Sequence, residues 1–297
     1  MDKKKITSYR IVVLILAIAV VAQSIALIRG RSEPPRETAD GYDYEYDTEL
    51  SEKFEGALAD GDIEVWFQPI MDAQTGSIFG AEALSRWKMD GEYISPSVFV
   101  SVLEETGQVS ELDRNVFRKA CEYQKQRLED GKELFPISVN MSVVSVMQEN
   151  VVDDYTDIFS EYALPQGCIS IEVTETLDTD KNTVAAVVDG FRKAGFKLEI
   201  DDFGAGYASY ANLSLLEYDV LKVDKSIIDG IGNERGEVLL KEILRLADEL
   251  GMETIAEGVE TEDQVEFLRE NGCSAIQGYY YSKALPQEDF ISFVDGL

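Results

Sequence analysis

The chain contains no histidine. That absence excludes Ser-His and Cys-His triads, histidine general bases, HExxH zinc sites and HD-type metal phosphohydrolases. Acid–base or metal chemistry must therefore run on carboxylates, amides and lysine. Cysteine is scarce as well. Cys121, Cys168 and Cys273 are odd in number, far apart, form no CxxC and sit within apolar or helical stretches. Buried free thiols in a reducing compartment fit this pattern better than a disulfide framework or a zinc site. Positive charge is the third shortage, with 27 Lys and Arg against 57 Asp and Glu, a net of −30. Seven of those bases fall in residues 1–36 beside only Asp2 and Glu33, so the remainder carries 20 bases against 55 acids. Such a surface repels polyphosphate, and no DNA or RNA polymer is expected as a partner. An anionic substrate would need its cations supplied locally. Pro (7) and Gly (22) are too few to suggest disorder, while 45% hydrophobic residues suffice for a core. The 297 residues accommodate one large domain or two small ones.

A short basic tail (residues 1–10) precedes Ile11 to Ile28, an 18-residue run whose only polar members are Gln23 and Ser24. As a helix it spans roughly 27 Å, about the hydrocarbon thickness of a bilayer. A signal peptide is the rival, with Lys3 to Lys5 as its basic region. The run is long for one, and no clean small-x-small cleavage site follows it, so a transmembrane helix over 11–28 is expected. Four Lys/Arg precede this segment and three follow closely, which leans slightly towards placing the bulk of the chain outside. Residues 29–50, with Pro34, Pro35 and a run of acids and tyrosines, read as an acidic linker ending in a short helix.

From Asp62 onward β-rich runs alternate with helical patterns. The runs lie at 63–70, 78–86, 136–141, 169–175, 197–203, 220–225, 252–258 and 275–281. Helices are predicted at 96–105, 111–130, 143–163, 181–194, 234–250, 261–271 and 286–295. Eight strands separated by helices predict an α/β fold, a modified (βα)8 TIM-like barrel. The first two strands are joined only by MDAQTGS, too short for a crossover helix. They should form a hairpin, which puts one antiparallel strand in the barrel.

Active sites of such barrels gather at the C-terminal ends of the strands. The polar residues there are Glu82, Asn140, Glu172, Asp201 with Asp202, Lys222, Glu257 and Gln277. Any one of them has a plain explanation, since a strand ends in a polar residue because the chain is reaching water. The set does not, because several members are embedded in apolar β-rich runs. Glu172 lies between Ile171 and Val173, and Asn140 between Val139 and Met141. Buried carboxylates converging on one mouth repel unless a cation sits among them. Oxygen ligands with an amide among them select hard cations such as Mg²⁺ or Mn²⁺. Adjacent Asp201 and Asp202 could bridge or serve two such ions, an arrangement suited to phosphodiester hydrolysis. Residue chemistry alone thus reaches a metal-dependent phosphohydrolase or a metal-assisted lyase.

EALSRW (82–87), NMS (140–142), EVTE (172–175), DDFGAGYAS (201–209), KVDKS (222–226), AEGVE (256–260) and QGYYYS (277–282) together resemble the ordered signature of EAL-domain cyclic di-GMP phosphodiesterases. The resemblance runs over residues 51–297 and includes QPI (68–70) and LPQEDF (285–290). It implies hydrolysis of cyclic di-GMP to linear pGpG with Mg²⁺ or Mn²⁺, two ions per site, in a domain that forms homodimers. It implies Glu82, Asn140, Glu172 and Asp201 as primary metal ligands, Asp202 on a second ion, and Asp224 as a further ligand or close neighbour. Glu257 would be the base, acting with Lys222 on the hydrolytic water and with Glu82 in the catalytic set. Gln68, Arg86 and Gln277 would contact substrate or order neighbouring ligands. Glu175 would brace the loop after Asp202, which the family links to dimerisation and metal loading.

Two positions depart from the family pattern, Ala205 and Ala208, where the loop usually carries hydroxyl residues. Each lost hydrogen bond is worth about 0.5–1.5 kcal/mol, which touches loop order rather than any ligand. The alternative function is a degenerate domain that binds cyclic di-GMP without cleaving it; such domains usually lose ligands or the base, and all are present here. Because the implied substrate is a cytosolic messenger, the expected topology is a single-pass membrane protein with its catalytic domain in the cytoplasm, against the weak lean of the flanking charges.

Overall fold

Of the seven residues 71–77, Met71 and Asp72 complete the first strand and 73–77 form a tight turn. The computed structural model describes residues 44–174, 181–205, 213 and 216–297. In it β1 (Ile63–Asp72) and β2 (Ile78–Met89) pair antiparallel, from Ile63 opposite Trp87 to Met71 opposite Ile78. Asp72 holds the turn, its Oδ1 accepting from the backbone N–H groups of Gln74 and Thr75 and from the Thr75 hydroxyl.

From β2 the sheet runs parallel through β4 (Ile137–Met141), β5 (Ile169–Thr174), β6 (Lys197–Phe203), β7 (Val220–Val223), β8 (Glu253–Ala256) and β9 (Ala275–Gln277). β9 then pairs antiparallel with β1, and the β1–β2 pairing closes the barrel. β1 is therefore the one inverted strand of eight, as its short connection requires. Two short strands extend the hairpin beyond the barrel wall. β3 (Glu92–Ile94) pairs with β2, and β10 (Leu285–Pro286) pairs with β1 at Trp66 and Phe67.

Helices cover the outside: α1 (Tyr44–Asp60), α2 (Pro96–Thr106), α3 (Val109–Glu129), α4 (Val143–Val146), α5 (Val151–Tyr162), α6 (Lys181–Ala194), α7 (Lys225–Ile228), α8 (Glu234–Glu249), α9 (Glu262–Glu270) and α10 (Gln287–Asp295). The acidic stretch read as linker to residue 50 is already helical from Tyr44. Its Leu50, Phe54 and Ala57, spaced i, i+4, i+7, are buried, with the Phe54 ring 6.0 Å from Trp87. Burying Phe54 alone stabilises by about 2–3 kcal/mol, ample to hold an acidic helix in place.

The single helix expected over 143–163 is two. Ser142 caps α4 by accepting from the Ser145 N–H, and Met147 ends it. The buried spacing Val151, Tyr155, Ile158 starts a new phase after Asn150. β9 also stops at Gln277, four residues before the predicted end, for a reason that belongs to the site. Among the described residues no helix is long and apolar enough to cross a membrane. The expected segment 11–28 lies outside those residues, as do Glu175 and Ala208.

Candidate active site

Alternation along each strand decides what points into the barrel. Ile70, Val220, Ile255 and Ala275 pack together inside it. Two residues on, towards the C-terminal mouth, come Lys222, Glu257 and Gln277. On inverted β1 the same step backwards brings Gln68, which lies opposite Glu82. The other half of the mouth follows equally, from Ser138 to Asn140, Ser170 to Glu172 and Glu199 to Asp201.

The adjacent carboxylates Asp201 and Asp202 should by alternation face opposite ways. They do not, because β6 carries an irregularity in register between Ile200 and Phe203, and Asp202 sits at φ 55°. A left-handed conformation is uncommon outside glycine, with Asp among the residues that tolerate it. The irregularity brings both carboxylates to one side. Oxygens of Asp201, Asp202 and Glu257 all lie within 4.8 Å of one another.

Lys222 stands at the centre, 1% exposed. Its Nζ is 2.6 Å from Glu172 Oε1, 2.8 Å from Glu257 Oε1, 3.3 Å from Asp201 Oδ1 and 3.7 Å from Glu82 Oε2. Burial pulls its pKa down, but Asp201, Glu172, Glu257 and Glu82 together push it well above the ordinary lysine value. Lys222 is consequently a fixed cation and no base. Burial raises Glu172 and Glu257 well above the usual carboxylate range against the pull of Lys222, with Asp201 and Glu82 adding repulsion. Asp201 goes the other way. Burial opposes its ionisation, but Lys222, Glu172 and the Asp202 N–H hold it below the ordinary value. One lysine is little positive charge for this many acids, and a further cation would offset their mutual repulsion.

The residues present fit such a cation. Glu172 Oε2 is buried and accepts no hydrogen bond, and buried Asp201 Oδ1 has the Lys222 ammonium at 3.3 Å. Glu82 is clamped from both sides, with Asn140 Nδ2 donating to Oε1 at 2.8 Å and Gln277 Nε2 to Oε2 at 2.7 Å. These amides fix the carboxylate while leaving its remaining lone pairs directed into the mouth. The donor set is oxygen throughout, as hard divalent cations require.

Two loops complete the frame. Gly278 ends β9 because a Cβ there would lie 2.1 Å from the Val259 carbonyl oxygen. That close approach lets Val259 N–H donate to the Gln277 carbonyl, and Tyr280 N–H to that of Val259, locking the loop that carries Glu257. Gln277, expected against substrate or as an orderer of neighbouring ligands, donates to Glu82. Gln68 donates to the Ser282 carbonyl at 3.3 Å. Arg86 lies further out on β2 and donates to the Ser85 carbonyl at 2.8 Å. Asp224 caps α7 by accepting from the Ser226 N–H and lies outside the Asp201, Asp202 and Glu257 cluster. Glu175, the expected brace, lies outside the described residues.

The strand-end pattern does not single out two further buried acids. Glu199, 4% exposed, sits one layer beneath Asp201; burial raises it to about 7, opposed by Lys222 and Ser170. Its position two residues before Asp201 on a lumen-facing strand was the available signal. Asp113 on α3 accepts from the Ser142 N–H at 2.9 Å and the Ser145 hydroxyl at 2.7 Å, fixing the turn just after Asn140. An acid on an apolar helix face between Leu112 and Val116 was its signal.

Comparison with known proteins places this geometry. The EAL domain family matches residues 51–284. The chain is 34% identical over 248 residues to the probable cyclic di-GMP phosphodiesterase PdeB of Escherichia coli, covering 82% of this chain and 46% of that protein. It is 34% identical over 241 residues to the cyclic di-GMP phosphodiesterase NbdA of Pseudomonas aeruginosa, covering 80% and 31%. The chain thus spans less than half the length of these relatives. Among solved structures, the MucR phosphodiesterase in complex with c-di-GMP superposes with a TM-score of 0.76 at 29% identity, covering 82% of this chain and 99% of that one. An EAL domain protein of Listeria monocytogenes gives 0.73 at 28%, covering 83% and 98%.

Proposed function

The chain belongs to the EAL domain family, and from that membership we propose that it hydrolyses cyclic di-GMP to linear pGpG with divalent metal ions. The observation that carries the reading is the complete mouth. Four carboxylates surround one buried lysine, and Glu172 Oε2 among them accepts no hydrogen bond. The relatives named as cyclic di-GMP phosphodiesterases and the c-di-GMP complex of MucR support the substrate.

Glu82, Asn140, Glu172 and Asp201 would hold a first ion, and Asp202 a second, with Asp224 close by. Bound there, divalent cations supply Lewis-acid polarisation of the phosphoryl oxygens and activation of water. Glu257, held 2.8 Å from Lys222 Nζ, takes the proton of the attacking water. Lys222 stays cationic and donates to that water or to charge developing on the phosphate. Asn140 and Gln277 keep Glu82 in one orientation throughout, while Arg86 and Gln68 face the substrate.

The test is incubation of the purified 297-residue chain with cyclic di-GMP and analysis of the product. Mg²⁺ or Mn²⁺ should support turnover to pGpG. Ca²⁺ should inhibit, because its longer bonds and higher coordination number misplace the water. Equal turnover in Ca²⁺ would overturn the metal assignment. Binding without cleavage under every metal would make the domain a receptor.

The reading extends to the residues ahead of the domain. Residues 11–28 would form a single membrane span, the stretch between 29 and the start of α1 would tether it to the catalytic domain, and that domain would lie in the cytoplasm as a homodimer. The cytosolic origin of the substrate and three buried free thiols support this side. Protease added to intact cells should leave the domain whole; digestion there would place it outside.

A further inference from the structure

The face of β1 that carries Gln68 continues outward past the barrel to Trp66 and Glu64, and the matching face of β2 runs from Glu82 through Leu84 to Arg86. The Arg86 guanidinium lies over the Trp66 ring, 5.5 Å from its centroid. The indole Nε1 donates to Glu64 Oε2 at 2.9 Å. The Tyr93 hydroxyl donates to the same oxygen at 2.8 Å. The Tyr93 ring also meets Trp66 edge to face at 5.1 Å. The carbonyl of Ser85 grips Arg86 from behind.

We propose that Trp66, fixed by Glu64 and Tyr93, is a positioning residue that holds the Arg86 guanidinium over the mouth for a phosphate of the dinucleotide substrate. The inference rests on the phosphodiesterase reading above. In a chain this acidic, few cations are available to an anionic ligand. A long arginine beside Glu82 would otherwise fold onto that carboxylate, which attracts it. The aromatic face gives Arg86 a competing resting place that leaves the N–H groups not bound to the Ser85 carbonyl available for phosphate. An arginine stacked on an aromatic ring can still present its N–H edge, which an arginine consumed by a carboxylate cannot.

Steady-state kinetics of the 297-residue chain with cyclic di-GMP and Mg²⁺ test this. Trp66→Leu should raise KM about tenfold while leaving kcat within about twofold, and Trp66→Phe should recover most of the loss because it restores a ring face. The decisive arm is a double-mutant cycle. In an Arg86→Ala background, Trp66→Leu should raise KM by less than about twofold, since its effect runs through a guanidinium no longer there. Glu64→Gln keeps both rings and weakens only their anchor, so it should show a smaller KM increase in the same direction. It supplies the measurement should Trp66→Leu fail to fold. Equal Trp66→Leu effects with and without Arg86, or a lowered Tm with unchanged KM, would overturn the proposal. A wild-type chain that neither binds nor cleaves cyclic di-GMP would instead sink the functional reading beneath it.

Discussion

Lys222→Met should lower the unfolding free energy in metal-free buffer by about 3–5 kcal/mol and remove measurable turnover. The side chain is buried and contacts Glu172, Glu257, Asp201 and Glu82 at once. Methionine fills similar space but leaves those acids without a counter-charge. Burial already raises Glu172 and Glu257 above the usual carboxylate range even with the lysine in place. Without it their folded-state pKa values rise further, and this fixes the sign of the pH dependence. A carboxyl whose folded pKa exceeds its unfolded value favours the folded state at low pH, and that contribution is lost as pH rises through the folded value. The deficit of the variant relative to wild type should therefore be small near pH 5 and grow towards pH 8. Added Mg²⁺ should recover part of it by returning positive charge to the cluster. Urea unfolding across that pH range, with chelator and with Mg²⁺, gives the measurement. A deficit independent of pH would show that Lys222 acts by packing and not by charge.

Glu257→Gln should reduce turnover at least 10²-fold while cyclic di-GMP still binds. The amide keeps the size of the carboxylate and an oxygen facing Lys222, but cannot accept the proton of water. Glu257 also shares the 4.8 Å cluster with Asp201 and Asp202, so loss of a metal ligand would mimic loss of a base. Titrating Mg²⁺ to saturation separates the two. Excess metal restores a site weakened in affinity, whereas a missing base stays missing. Binding is followed by calorimetry in Ca²⁺, turnover by product analysis in Mg²⁺. More than about a tenth of wild-type turnover at saturating Mg²⁺ would remove Glu257 from the role of base.

The barrel was readable because each run from Ile63 to Gln277 has strand length and a polar residue at a fixed place near its end. The hairpin was readable from seven connecting residues. Helix phase was harder. The break between Val146 and Val151 looks like one amphipathic stretch until the buried spacing is known. A short helix at the end of the acidic stretch is legible, but its packing is not, since Leu50, Phe54 and Ala57 carry the buried spacing among acids that suggest solvent.

What the sequence determined by itself was the chemistry: no histidine, and Glu82, Asn140, Glu172, Asp201, Lys222, Glu257 and Gln277 each on a β-rich run. Alternation within a strand sets which face each of these takes, and that is a local property. The barrel alone decided which of them meet. The conjunction of four acids on Lys222, the grip of Asn140 and Gln277 on Glu82, and the stack of Arg86 on Trp66 join residues up to 195 positions apart. Pairing across such distances depends on strand register and closure, which no single segment encodes. Asp202 makes the same point within one strand. Alternation turns it away from Asp201, and only the irregularity at φ 55° brings the two carboxylates together.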